Sequence, residues 1–75
     1  MPASKEQNTL MMVDDDGAIL IMLDGSRYRV ERTDFPTTIT WRPSAEVEII
    51  HSGDNSGSCK ILNKDTRERV SATAP

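Results

Sequence analysis

The 75 residues allow a single domain with a small core, since a chain of this length buries only about 60% of the surface that its unfolded form exposes. Leu, Ile, Val and Phe together make 15 of the 75, close to the roughly 20% line below which chains tend to be disordered, so a folded core must use most of them. The formal charge of −3 falls on the first 16 residues, while residues 17–75 balance eight acids against eight bases, which excludes a basic sink for nucleic acid or a strongly acidic surface on net charge alone.

Residues 1–9 are polar and lack periodicity, and residues 72–75 are small and patternless, so both ends are predicted to be flexible tails around a single domain at 10–71. Residues 10–13 form a short candidate strand, which turns through Asp14-Asp15-Asp16-Gly17. The clearest local signal is Asp24-Gly25, suited to a type I′ turn between an apolar run at 18–23 and an alternating run at 26–31. A two-residue loop there pairs Ile21 with Tyr28 and Ile19 with Val30. It places Ile19, Ile21, Leu23, Tyr28 and Val30 on the core face, with Leu20 and Met22 outside beside Arg27 and Arg29.

Residues 37–41 are β-branched and aromatic, a strand-like composition between Phe35-Pro36 and Arg42-Pro43. Residues 45–51 alternate Ala45, Val47 and Ile49 against Glu46 and Glu48, the pattern of a strand with one wet face. A Ser, Gly, Asp and Asn loop at 52–58 leads to a strand at 59–62 that brings Ile61 to the core. The turn Asn63-Lys64-Asp65-Thr66 then opens a last strand at 67–71 with Val70 inward. Five to seven short antiparallel strands, mostly joined as hairpins, are too few for a large sandwich and close instead into a small all-β, SH3-like barrel.

From Leu23 onward the run LDGSRYRVERTDFPTTITWRPSAEVEII, and then ILNKDTRERVSA, resembles a group of short bacterial β-barrel proteins of unassigned role. The shared features are a D-G-S-x-aromatic-x-V hairpin, a W-x-P-x-x-x-V segment and a terminal N-x-D-T-x-E-x-V hairpin. This chain departs from that pattern with Tyr28 in place of Trp, and with Ser44 and Arg67 in place of Gly. The resemblance implies a compact barrel and carries over no active site.

Catalysis needs convergent groups, and the chain has one His and one Cys. His51 at a strand end is read as structural, and Cys59 as a small buried hydrophobe. The stretch Gly53-Asp54-Asn55-Ser56-Gly57 is similar to a serine-protease nucleophile loop, but an Asn interrupts the motif and no orienting carboxylate is placed. Asp14, Asp15 and Asp16 suggest calcium, yet Ala18, Ile19 and Gly25 fall where an EF-hand loop needs an acid, a Gly and a bidentate Glu. No catalytic residue, metal or cofactor is therefore predicted.

Two Arg-x-Arg strands remain. If neighbours, Arg27, Arg29, Arg67 and Arg69 would form a patch for phosphates or carboxylates, while Glu31, Glu46 and Glu48 are available to neutralise them. Tyr28 points away from its Arg neighbours, which removes the stacking platform of single-strand binders. Trp41, Tyr28 and Phe35 are read as core.

The function expected from these features is a non-enzymatic protein-interaction module that binds a partner or itself, with nucleic-acid binding through the arginines as the alternative. The lone Cys59 excludes an internal disulfide and suggests the cytoplasm. The longest apolar run, six residues at 18–23, predicts neither a secretion signal nor a membrane span.

Overall fold

The computed structural model describes residues 4–51 and 57–74. The motif at 53–57 therefore lies mostly outside the described residues. Among the described residues the strands are β1 (Ser4–Asp14), β2 (Ile19–Met22), β3 (Arg27–Val30), β4 (Glu46–His51), β5 (Ser58–Asn63) and β6 (Glu68–Thr73), with a short α-helix, α1 (Phe35–Thr38), and 3-10 turns at Asp15–Gly17 and Arg32–Asp34. They close an antiparallel barrel in the order β1-β2-β3-β6-β5-β4, so the predicted small SH3-like barrel is the observed architecture. Among the described residues no helix is long and apolar enough to cross a membrane.

The first strand corrects the expected tail at 1–9. Residues 4–9 pair with β4 from Ser4 opposite His51 to Thr9 opposite Glu46, and the same strand then turns to pair with β2. Backbone hydrogen bonding needs no apolar side chain, which is why polar composition hid the strand. Lys5 Nζ lies 3.7 Å from Glu48, an ion pair between the two strands, and Glu6 Oε1 lies 3.3 Å from His51 Nε2. A β-bulge between Leu10 and Met12 breaks the alternation: Leu10 is buried, whereas Met11 and Met12 are both exposed. At the other end, β6 runs to Thr73 and extends past the expected boundary at 71.

The first hairpin is also corrected. Ile19 pairs with Arg29, Leu20 with Tyr28 and Ile21 with Arg27, one residue out of the predicted register. Gly25 has φ of 90°, but Asp24 keeps a negative φ, so the type I′ turn does not form. The Gly25 N–H donates to the Met22 carbonyl at 3.0 Å, and the Met22 N–H donates to the Ser26 carbonyl at 2.8 Å, leaving a loop of Leu23, Asp24 and Gly25. That loop is held from outside the hairpin, by the Leu23 N–H on the Thr9 carbonyl and by Asn8 Nδ2 on Asp24. A slip of one residue exchanges the faces of a strand. Leu20 and Met22 therefore enter the core, while Ile19 and Leu23 leave it; Ile21 is buried as expected, though outside the main core cluster.

In place of the predicted strand at 37–41, α1 ends at Thr38 and a turn follows at 39–40. Pro36 sits in the first turn of α1, where its missing N–H is of no consequence. Thr38 Oγ1 donates to the Gly17 carbonyl at 2.7 Å. Trp41 then drops into the core and its Nε1–H donates to Glu68 Oε1 at 3.0 Å. Tyr28, Val30, Val47, Ile49, Ile61 and Val70 are buried as expected, and Phe35 packs against them.

Gly17 is where the turn after β1 meets α1. Its φ is 100°, and a Cβ there would lie 2.7 Å from the Phe35 carbonyl oxygen and 2.8 Å from Thr38 Oγ1. Gly17→Ala should cost more than about 2 kcal/mol in urea unfolding, through both backbone strain and the displaced helix. Ser44 and Arg67 adopt φ of 74° and 63°, which an L side chain tolerates poorly. Ser44→Gly and Arg67→Gly should each raise stability by about 0.5–1 kcal/mol in the same assay.

Candidate functional site

The four arginines do not converge. β3 and β6 are neighbours, but their register sets Arg29 opposite Thr73 and Val30 opposite Ala72. Arg69 lies four residues back from Thr73 along β6, about 13 Å from the row of Arg29. Arg67 is not in a strand: its positive φ closes the turn after β5, and its N–H donates to the Asn63 carbonyl at 2.7 Å. Arg27 and Arg29 alone share a locality, exposed on either side of buried Tyr28. Among the described residues none of the four arginines lies within salt-bridge distance of a carboxylate. Glu48 pairs with Lys5, so the expected neutralisation of the arginines by Glu31, Glu46 and Glu48 does not occur.

At one end of the barrel His51, Glu6 and Cys59 come close in space, an arrangement their sequence separation did not announce. His51 is opposite Cys59 across β4 and β5, and its Nε2 lies 3.3 Å from Glu6 Oε1. The buried thiol donates to the Ala72 carbonyl at 3.5 Å, and burial pushes its pKa up, which favours the unreactive protonated form. The neighbouring Tyr28 hydroxyl is likewise raised, first by burial and then by the charge of Glu6.

The acidic segment forms a tight turn. Asp14 Oδ1 accepts from the Asp15 N–H at 2.9 Å, and Asp15 and Asp16 adopt φ of 52° and 55°. Among the described residues no group of three His, Cys, Asp or Glu side chains is placed to hold a metal ion.

The most distinctive surface is the outer face of β1, β2 and β3. Two cross-strand rows run over it: Met12, Ile21 and Arg27, then Asp14, Ile19 and Arg29. Because directly opposed residues point the same way, the face has an apolar centre in which Ile19 is partly exposed and Ile21 is buried, an acidic margin at Asp14 and a basic margin at the two arginines. The bulge adds Met11, 42% exposed, and the hairpin loop adds Leu23, 64% exposed. Beside it, where β6 ends before β3 does, a groove of about 330 Å³ is lined by Ile19, Arg27, Tyr28, Arg29, Thr73 and Ala74. β2 is apolar on both sides, and Leu20 and Met22, expected to face outward, are fully buried.

No family model, curated protein or solved structure matches this chain.

Iodoacetamide at pH 8 should label Cys59 roughly 100-fold more slowly in the folded protein than in urea. Since folding raises the thiol pKa, its contribution to stability is complete below the unfolded value and is lost as pH rises through the folded one. Rapid labelling of the folded chain would contradict a buried thiol.

Proposed function

We propose that the protein is a small non-enzymatic interaction module that binds another protein through the outer face of β1, β2 and β3. One observation carries this reading: Met11, Met12 and Leu23 are exposed and Ile19 is partly exposed on the same three-stranded side, in a chain with few apolar residues to place. Exposing a contiguous apolar patch is costly for a domain this small, and such patches mark interaction sites. The free charges of Arg27 and Arg29 at its margin supply orientation and partner choice.

A non-catalytic role is supported by the thiol chemistry: Cys59 is buried, protonated and bonded to a backbone carbonyl. Its unpaired state also supports a cytoplasmic setting. The resemblance to the short bacterial proteins gains support from Ser44 and Arg67, the two positions where that pattern carries Gly and where φ is positive here.

Nucleic-acid binding is the second reading, favoured by the two unpaired arginines on β3. Tyr28 between them points into the core, and Arg67 and Arg69 lie elsewhere, so the surface offers two phosphate contacts and no stacking platform.

A photo-crosslinking residue at Leu23 should give, in the native cell, an adduct of one defined mass, whereas the same group at Lys64, in the turn after β5, should not. Equal adducts at the two sites, or none at either, would sink the proposal. In an amide-shift titration, salt-sensitive changes at Arg27 and Arg29 with short oligonucleotides would favour the second reading instead.

A further inference from the structure

We infer that the occupant of this face is a second copy of the same chain, packed about a two-fold axis parallel to β2. The inference rests on the reading of the face as a protein-binding surface, and it names the partner.

The charge pattern carries the argument. Along each cross-strand row the face runs from β1 through an apolar β2 to a basic β3, and one row has Asp14 at its β1 end and Arg29 at its β3 end. A two-fold axis in the interface and parallel to β2 exchanges the two margins and keeps each row at its own level. β1 of one copy then lies over β3 of the other. Asp14 meets the second copy's Arg29, and the symmetry supplies the same pair again, so one contact is formed twice. Ile19, partly exposed, lies near the axis and faces its own counterpart, while Ile21 is already covered within its own chain. Met12 meets the second copy's Arg27, whose aliphatic stem covers the thioether while its guanidinium stays in water.

The alternative face-to-face axis, perpendicular to the strands, is disfavoured by the same charges. It lays β3 on β3 and gathers four guanidiniums at one margin, with the acidic turns gathered at the other. The pattern therefore selects between symmetries as well as between partners. Within one chain Asp14 and Arg29 are separated by the width of β2, and neither is in an ion pair among the described residues. Both charges are left available for the second copy.

Three strands span only about 10 Å, so the buried area is below that of a permanent dimer and the association is weak and concentration-dependent.

Sedimentation equilibrium from about 10 µM to 1 mM should show a monomer–dimer equilibrium in the wild type. Asp14→Arg and Arg29→Asp, each studied alone, set like charges against each other in both symmetric contacts and should weaken it about 10-fold or more. Mixed in equal amounts, the two variants should associate with each other to within about threefold of the wild-type affinity, because both contacts are then restored with their signs exchanged. Met12→Glu leaves the Asp14 turn untouched and adds a carboxylate facing the second copy's Arg27. It should tighten the dimer about threefold, where loss of apolar surface alone would loosen it.

A mixture that stays monomeric while both variants keep wild-type amide spectra, or a looser Met12→Glu dimer, would overturn the two-fold arrangement. A wild type that is monomeric at every concentration would overturn self-association itself. The reading of the face as a protein-binding surface is judged separately by the Leu23 adduct: one of any defined mass upholds it, and one whose mass is not twice that of the chain upholds it while overturning the second copy as the occupant.

Discussion

The structure depends on β1 serving two neighbours in succession. Its first half pairs with β4 and its second half with β2, which brings the ends of the sheet together and leaves a closed barrel. At the changeover the backbone is held from both sides. The Leu10 N–H donates to the Ala45 carbonyl, the Ser44 N–H donates to the Leu10 carbonyl, and the Leu23 N–H donates to the Thr9 carbonyl, at 2.8–2.9 Å. Ser44 reaches this position with a positive φ, a local strain that the closure of the barrel over-determines.

The bulge after Leu10 follows from that change of partner and has a consequence for the surface. An extra residue in the strand lets Leu10 and Val13 both pack on the core, so two consecutive methionines face outward. The hairpin that follows compounds the effect. Docking of its loop on β1 selects a three-residue connection, and the slip in register turns Leu20 and Met22 inward at the expense of Ile19 and Leu23. The core gains two fully buried side chains, and the outer side gains a partly exposed Ile19 and an exposed Leu23. One packing choice thus sets both the interior of the barrel and the character of its exposed side.

The proposed interaction surface is in this sense a by-product of closure that carries useful charge. Asp14, Arg27 and Arg29 sit at its margins because the strand order fixes β2 between β1 and β3. The opposite side of the barrel differs in kind: there Lys5 and Glu48 satisfy each other, and exposed positions on β5 and β6 are polar. A partner that desolvates the first side gains apolar contact and oriented ion pairs, and on the second it would have to break a pair already made.

Much of the barrel was legible from local pattern. Strict alternation in Val47 and Ile49, the core placement of Ile61 and Val70, and the burial of Trp41 and Tyr28 follow from period-two hydrophobicity and from the scarcity of large apolar residues, both properties of the chain alone. What the sequence could not decide was anything that depended on a distant strand. Residues 4–9 became a strand because β4 offered backbone partners. The stretch at 37–41 became the end of a helix and a turn because Pro36 could start a helical turn whose Thr38 reached Gly17. The Asp24-Gly25 loop took an extra residue because Thr9 and Asn8 held it. Separation of the arginines into one exposed pair and two remote residues was likewise a matter of register between β3 and β6. Short-range chemistry chose which residues prefer strands and turns, and long-range backbone pairing chose which side of each strand faces water, because one residue of register exchanges the two.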